Sequence, residues 1–283
     1  MRRLLVLALI ALLVQLVVAC AGAAPTAPRN HDAPRVASTV ELADDVHVHQ
    51  LADGVWRHVS FKDLPGVGPF PSNGLIVLGA EGALLVDTPW TPEQTRLLLG
   101  WIEKTWRTQV REVVITHAHD DRLGGIAEIG SAARIHALPA TSEQAARRGW
   151  VFPAVPLAAD ASLELVGERV ATFFPGAGHT SDNIVVWFPA RGLLFGGCFV
   201  KSARAPDLGN VADADIASWR TSIQRVIERY PAARTVVPGH GDPGGLELLI
   251  HTRDLIDAAL AKASASSNGS RSDSAPAAPG LRR

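Results

Sequence analysis

The stretch THAHDDRLGG at residues 116–125 concentrates groups that can bind a metal ion. His117, His119 and Asp121 alternate directly after the apolar run VREVVIT, and a spacing of two in extended backbone directs side chains to one side. Neutral imidazole and carboxylate are both zinc ligands. Because a core strand gains no packing from ending in such a cluster, the pattern predicts a metal site at this strand end.

Three further strand-like segments end in side chains of the same chemical kind. His179 follows ATFFPGAG, Cys198 follows LLFGG and His240 follows TVVPG. Alone, each could be a loop histidine or a small buried thiol. With the first cluster they make six donors, which are too many for one tetrahedral ion but enough for two sets of three. A three-donor zinc site with an open position is the catalytic type, whereas structural sites are closed by four ligands.

The other histidines lack a neighbouring carboxylate or glycine turn at a strand end. We expect them to be ordinary surface or packing residues. They are His31, His47, His49, His58, His136 and His251.

Strands and helices follow each other in the same order in both halves of the chain. The runs HVHQLADGVWRHVSF, SNGLIVLG and GALLVDTPW precede a helix that Thr91 caps, with Pro92 in its first turn and Gln94 completing a capping box; it runs to about Trp106. The runs LELVGERVATFFPG, NIVVWFPA and GLLFGG precede a helix capped by Asp215. This order predicts an α/β fold in which two β-rich halves pack face to face with helices outside.

Two more helices are expected. Thr141, with Gln144, is expected to cap a helix in the first half. The last helix is expected from Leu246 to about Lys262.

Length and composition allow one large domain and exclude some partners. The chain has 283 residues, 47% of them hydrophobic, and a formal net charge of -1, so no basic surface for nucleic acid is expected. We expect a domain over residues 37–262, a Pro/Ala-rich tether over 21–36 and a disordered Ser/Ala/Pro-rich tail over 263–283.

Residues 1–20 have the pattern of a secretory signal peptide. A basic MRR precedes an apolar run that only Gln15 interrupts, and the run is short for a membrane span. VVAC resembles a lipobox in which Cys20 becomes the lipidated first residue, while AGA before Ala24 is the competing cleavage site. We expect a periplasmic protein, attached to the outer membrane if Cys20 is lipidated. Cys198 then lacks a disulfide partner, which favours a metal-bound thiolate.

A set of motifs carries a family resemblance. HAHDDR, GAGHTSDN, FGGCFVKS, LGNVADAD and PGHGD, with VDTPWT upstream, occur in this order and resemble the metallo-β-lactamases of subclass B1. The resemblance implies an αββα sandwich of two mixed β-sheets, with two zinc ions per chain. It also implies hydrolysis of the β-lactam amide bond of penicillins, cephalosporins and carbapenems by a zinc-bound hydroxide, conferring antibiotic resistance.

The resemblance also assigns residues. The first zinc takes His117, His119 and His179, and the second takes Asp121, Cys198 and His240. Asp121 also orients the hydroxide, Lys201 binds the substrate carboxylate, and Asn210 lies near the lactam carbonyl, where it assists catalysis and substrate binding. The segment FKDLPGVGPFPSNG matches a hairpin that closes over substrate, and Asp87 and Trp90 support the ligands. The further substrate contacts implied are Phe61, Val67, Phe70 and Trp90. We expect a monomer.

Two alternatives stay open. A glyoxalase II-like thioesterase or a lactonase of the same superfamily would resemble HxHxDH, whereas Arg122 follows Asp121 here and Cys198 replaces the usual bridging aspartate. A non-catalytic, lipid-anchored zinc-binding module would need closed coordination, against which two open sets of donors argue.

Overall fold

The computed structural model describes residues 38–272. The predicted signal peptide and tether lie outside these residues. Thirteen strands are described: β1 (Thr39–Ala43), β2 (Val46–Ala52), β3 (Val55–Leu64), β4 (Gly68–Gly79), β5 (Gly82–Val86), β6 (Val110–Val114), β7 (Arg134–Ala137), β8 (Ala154–Pro156), β9 (Asp160–Leu165), β10 (Glu168–Phe173), β11 (Val185–Phe188), β12 (Leu193–Gly197) and β13 (Thr235–Pro238).

Five α-helices connect or flank these strands. They are α1 (Pro92–Trp106), α2 (Asp120–Leu123), α3 (Pro139–Arg147), α4 (Ile216–Arg229) and α5 (Glu247–Ser272). Two 3-10 turns, Ile126–Glu128 and Pro189–Arg191, complete the described helical segments.

The strands form two mixed sheets. The first has eight strands in chain order, β1 to β8, antiparallel up to β5 and parallel from β5 to β8. The second has five strands in the order β13-β12-β11-β10-β9, and only the β12–β13 pair is parallel. Parallel neighbours end at the same sheet edge, which brings the residues after β12 and β13 together.

Apolar side chains place the sheets and helices in four layers. Leu75 of the first sheet and Phe195 of the second belong to one buried cluster, which lies between the sheets. Leu98 of α1 packs with residues of the first sheet, and Trp219 of α4 packs with residues of the second. The predicted αββα sandwich is therefore confirmed.

The sequence predicted the N-terminal caps of some helices correctly and of one helix wrongly. Thr91 caps α1 by accepting the Gln94 N–H, as predicted, but the Gln94 side chain bonds Asp45 and the Phe61 carbonyl instead of closing a capping box. Asp215 caps α4 as predicted. The prediction that Thr141 caps α3 is wrong.

Helix α3 begins two residues earlier than the predicted cap. Pro139 occupies its first turn, where the fixed φ of proline is already helical, and Leu138 is the cap residue. At the other end of the chain, α5 continues through Ser272, beyond the expected start of the tail at residue 263. Among residues 38–272 no helix is long and apolar enough to cross a lipid bilayer.

Candidate metal centre

The six predicted donors meet at one rim of the sandwich. His117 and His119 follow β6 of the first sheet, while Cys198 and His240 follow the parallel strands β12 and β13 of the second. The end of β13 approaches Cys198 closely: a Cβ on Gly239 would lie 2.7 Å from the Cys198 Sγ. Glycine at this position is therefore what allows the two strand ends to present their donors together.

Three imidazoles form the first donor set. His119 Nδ1 lies 3.1 Å from His117 Nε2 and 3.2 Å from His179 Nε2. The rings meet edge to face, with centroids 4.7 to 5.0 Å apart. All three are buried. Their inner nitrogens therefore point at one common position.

The second set joins a carboxylate, a thiol and an imidazole. Cys198 Sγ lies 3.1 Å from His240 Nε2 and 3.3 Å from Asp121 Oδ2, and the last two atoms are 3.3 Å apart. Donor atoms of His117, Asp121 and Cys198 also lie within 4.8 Å of one another. The two sets are thus neighbours, and His117 lies between them.

Hydrogen bonds on the outer side of the His119 and His240 rings determine which nitrogen of each ring is protonated and which one presents a lone pair to the site. His119 Nε2 donates to Asp213 Oδ2 at 2.9 Å, and His240 Nδ1 donates to the Pro71 carbonyl at 2.6 Å. Because a carboxylate and a carbonyl accept only, these outer nitrogens carry the protons in the neutral rings. His119 Nδ1 and His240 Nε2 are then unprotonated and suited to bind a metal.

Burial keeps His117, His179 and His240 in the neutral form that ligation requires. It lowers the pKa of His117 and His179 well below the usual value, with help from nearby imidazoles at His117 and from Lys201 at His179. It lowers the pKa of His240 to about 4. At neutral pH these rings offer lone pairs and have no proton to displace.

Asp121 is buried but ionised because a buried guanidinium faces it. Burial alone would raise its pKa, but Arg122 and, more weakly, His240 hold the pKa well below its usual range. Arg122 Nη2 and Nε lie 2.7 and 3.1 Å from Asp121 Oδ2. The donor set fits zinc: neutral imidazoles, one carboxylate and one thiol, in two groups that each leave room for a further ligand.

Asp87 contacts a neighbour of each donor set through its carboxylate. Its Oδ1 accepts the Thr116 N–H and its Oδ2 accepts the Thr116 hydroxyl, both at 2.8 Å, directly before His117. Its Oδ2 also lies 3.2 Å from Arg122 Nη1, and the side chains of both residues are fully buried. The predicted support by Asp87 thus reaches one ligand through the chain and the other through Arg122.

The other assigned residues lie at different distances from the donors. Lys201 is 9% exposed, and its Nζ lies 5.4 Å from the Trp219 ring centroid. The His179 ring packs against the same indole, with centroids 5.9 Å apart. Burial lowers the pKa of Lys201, while Cys198 and Asp121 act to raise it. Asn210 is exposed, and its Oδ1 accepts the Ala212 N–H. Among residues 38–272, no hydrogen bond or ion pair joins the Asn210 side chain to the donors.

The hairpin of β3 and β4 brings some predicted substrate contacts to the site. The Phe70 ring lies 4.9 Å from the His240 ring, and Lys62, its cross-strand partner, donates to Asp120 at 2.9 Å. Val67 is 65% exposed at the hairpin turn. Trp90 is buried, with Lys62 Nζ 5.2 Å above its ring. Trp90 lines a cavity of about 470 Å³ together with Lys62 and Asp120.

Phe61 is not brought to the donors. It precedes Lys62, so it faces the opposite side of the hairpin, where its ring packs 5.3 Å from that of His47.

Sequence reasoning missed the role of three residues around the donors. Arg122 stands where the competing hydrolases would carry a further histidine, and Thr116 ends the apolar run before His117, so neither residue shows its role in the sequence. Asp213 is one of two acidic residues in NVADAD, and its bond to His119 joins positions 94 residues apart. Arg148 also donates to Asp213, at 2.8 Å, and no local pattern indicates this pair.

Comparisons with known proteins agree with the predicted family and fold. The metallo-β-lactamase superfamily matches residues 67–240. A metallo-β-lactamase type 2 of Bacillus cereus is 42% identical over 212 residues, 75% of this chain and 82% of that protein. One of Bacteroides fragilis is 36% identical over 220 residues, 77% and 88% of the two chains. The chain belongs to the metallo-β-lactamase superfamily.

Solved structures of metallo-β-lactamases share the fold. A metallo-β-lactamase from Pontibacter korlensis superposes with a TM-score of 0.72 at 42% identity, covering 75% of this chain and 99% of that one. FIM-1 of Pseudomonas aeruginosa, solved in a mono-zinc form, gives a TM-score of 0.71 at 37% identity, covering 77% and 99%. The predictions of a subclass B1 enzyme and of zinc as its cofactor are confirmed.

Proposed function

We propose that the protein hydrolyses the β-lactam amide bond of penicillins, cephalosporins and carbapenems with zinc as its cofactor, and so confers resistance to these antibiotics. The observation that carries this proposal is the pair of three-donor sets at one rim. Each set is open, and an open set is the catalytic type of zinc site. The relatives named above support the same reaction.

His117, His119 and His179 would hold one ion, and Asp121, Cys198 and His240 would hold the other. Zinc in open sets lowers the pKa of water to roughly 7 and polarises a carbonyl, which supplies a nucleophile and a Lewis acid at neutral pH.

The protein's own groups orient the reaction. Asp121 is anionic, so its carboxylate can accept a hydrogen bond from the attacking water and fix its direction. Lys201, in the wall beside His179, would attract the substrate carboxylate. The Asn210 side chain uses Oδ1 for the Ala212 N–H, which leaves Nδ2 to donate toward the lactam carbonyl. Phe70 and Val67 on the hairpin would cover the apolar substituents of the substrate, and Trp90 would pack beside them.

The test is a hydrolysis assay with one penicillin, one cephalosporin and one carbapenem. The protein is dialysed against a chelator and then titrated with zinc. We expect turnover of all three to disappear with the chelator and to return with zinc. Turnover that persists in the chelator would refute the mechanism. Hydrolysis of S-acylglutathione or lactone substrates in preference to all three drugs would instead favour another hydrolase of the superfamily.

The same proposal includes export to the periplasm and a lipid on Cys20. It is supported by the basic start, the apolar run and VVAC in the sequence. Fractionation of cells grown with labelled palmitate tests it. We expect the label in the outer-membrane protein and its loss in Cys20→Ala. A mature protein that begins at Ala24 and stays in the soluble periplasmic fraction would show that AGA is the cleavage site.

A monomer is proposed as well. Light scattering of the mature protein at micromolar concentration, with zinc present, tests this: we expect the mass of one mature chain, and twice that mass would show a dimer.

A further inference from the structure

His58 is a buried imidazole that none of the assigned roles uses. It lies on β3 with 1% of its surface exposed, and its Nε2 lies 3.2 Å from the carbonyl oxygen of Asp87. Since a carbonyl only accepts, Nε2 carries the proton. Burial lowers the pKa of His58 to about 3, so the ring is neutral. Its Nδ1 is buried without a hydrogen-bond partner among the described residues.

The fold makes room for this ring at one glycine. Gly74 is the cross-strand partner of His58 on β4. A Cβ on Gly74 would lie 2.1 Å from His58 Nε2 and 2.6 Å from the Val86 carbonyl oxygen. The ring therefore reaches past β4 to the end of β5, which it could not do beside any other residue type.

The carbonyl that His58 contacts belongs to a residue with unusual backbone geometry. Asp87 has φ 59, in the left-handed region that residues other than glycine adopt rarely. Its N–H donates to the Val114 carbonyl at 2.9 Å. Neighbouring hydrogen bonds must hold such a conformation in place, and the contact with His58 is one of them.

The Asp87 side chain transmits this geometry to both donor sets. It is held by two hydrogen bonds from Thr116, the residue before His117, and it pairs with Arg122, which holds Asp121. A small rotation of the Asp87 backbone would displace the carboxylate from these partners together.

We propose that His58 is a positioning residue for the metal centre, whose N–H fixes the backbone of Asp87 and thereby the orientation of both donor sets. The inference rests on the proposed metal site. It gives His58 a role beyond the packing expected from the sequence.

The test compares His58→Gln with His58→Met. The two side chains have nearly the same length, but only glutamine carries an N–H that can reach the Asp87 carbonyl. Outer partners of metal ligands typically contribute 10–100-fold to metal affinity, and since His58 acts through one further residue we expect a loss of about 10-fold in His58→Met. His58→Gln should recover most of this loss.

Two measurements read the metal site without using activity. Competition with a chromophoric chelator gives the zinc dissociation constants. Cobalt substitution gives the thiolate-to-metal absorption of Cys198, which should weaken or shift in His58→Met and return in His58→Gln.

His136 supplies the matched control. It is also a buried histidine, 5% exposed, and its Nε2 lies 2.7 Å from Glu112 Oε2 on the neighbouring strand β6. His136→Met and His136→Gln measure the general cost of removing a buried imidazole. We expect reduced stability in His136→Met, with zinc affinity and the cobalt spectrum unchanged.

Several results would overturn the inference: unchanged zinc affinity in His58→Met, an equal loss in His136→Met, or a glutamine variant no better than methionine. If His58→Met does not fold, His58→Asn replaces it, because its amide is too short to reach the carbonyl. A wild-type protein that binds two zinc ions but hydrolyses no β-lactam would refute the proposed function and leave this test intact.

Discussion

Replacement of Arg122 by methionine should destabilise the metal-free protein strongly. The Arg122 side chain is fully buried and pairs with two carboxylates, Asp87 at 3.2 Å and Asp121 at 2.7 Å. It also donates to the carbonyls of Asn73 and Gly239. Methionine fills much of the volume but leaves two buried anions and two carbonyls without their donor.

The size of the effect follows from those lost partners. Breaking a buried ion pair by removing one partner costs about 3–5 kcal/mol. In a domain of this size about 1 kcal/mol shifts the melting temperature by roughly 2–4 °C. We therefore expect Arg122→Met to melt roughly 8–16 °C below the wild type without metal, at about 4 kcal/mol. Arg122→Lys should lose less, because it keeps the charge but cannot span both carboxylates.

Zinc and pH should each reduce the penalty in a defined direction. Saturating zinc places positive charge beside Asp121, so the difference between variant and wild type should shrink. Burial raises the pKa of Asp87 to about 6 even though Arg122 acts to lower it, and loss of Arg122 raises it further. A raised folded-state pKa means that the native protein binds the proton more tightly than the unfolded chain. The penalty in the metal-free protein should therefore be smaller at pH 5 than at pH 8.

Thermal unfolding followed by circular dichroism measures all of these differences. A loss of less than about 1 kcal/mol in the metal-free variant would refute the argument, because it would mean that the two carboxylates do not need Arg122. A penalty that neither zinc nor acid reduces would assign the loss to packing instead of charge.

Three further predictions concern single groups of the site. Cys198→Ala should keep its fold by circular dichroism and bind one zinc ion per chain. It should lose about 100-fold or more of its hydrolysis rate, because even the outer partners of metal ligands typically contribute 10–100-fold to activity. Full turnover of all three drug classes would show that the second set is misassigned. Burial raises the pKa of the Cys198 thiol, so zinc binding to the second set should release a proton, and its affinity should rise about tenfold per pH unit near neutrality. Calorimetry in two buffers of different ionisation enthalpy measures the released proton. Release of the same proton in Cys198→Ala would contradict the assignment. Asp213→Asn should weaken zinc binding about tenfold by loosening His119, whereas Asp160→Asn, which alters an exposed carboxylate in a surface ion pair, should leave chelator competition unchanged.

The six donors could be predicted because each follows a strand that the sequence marks clearly. Apolar runs such as VREVVIT and TVVPG identify the strands, and the glycines beside Cys198 and His240 mark sharp turns. When strands of the two sheets end at the same rim of the sandwich, the residues that follow them meet there. Residue type and position along the chain were therefore sufficient to predict the donors. The same holds for Asp215, whose capping bond spans three residues.

The outer contacts could not be predicted because they depend on register and on distant pairings. Phe61 and Phe70 are both apolar residues of one hairpin, but the register pairs Phe70 with Lys62 and places Phe61 on the other face. The pair of His58 with the Asp87 carbonyl depends on an absent side chain at Gly74, which is visible only once the strands are aligned. For this reason the sequence located the ligands but not what holds them.

The charges around the two donor sets differ, and this difference sets how readily each set would bind a cation. The first set is three buried imidazoles that meet edge to face and carry no carboxylate or thiol among them. The second contains an ionised carboxylate, and Arg122 compensates it at Oδ2, the same oxygen that faces Cys198 and His240, while burial raises the pKa of the Cys198 thiol. Zinc held by the second set would replace the thiol proton of Cys198 and would lie near the guanidinium that contacts Asp121, whereas the first set contains neither a thiol nor such a contact. The buried arginine thus holds the second set in shape and also weakens its affinity for a cation, so the two sets should differ most in acid, where the proton is hardest to displace.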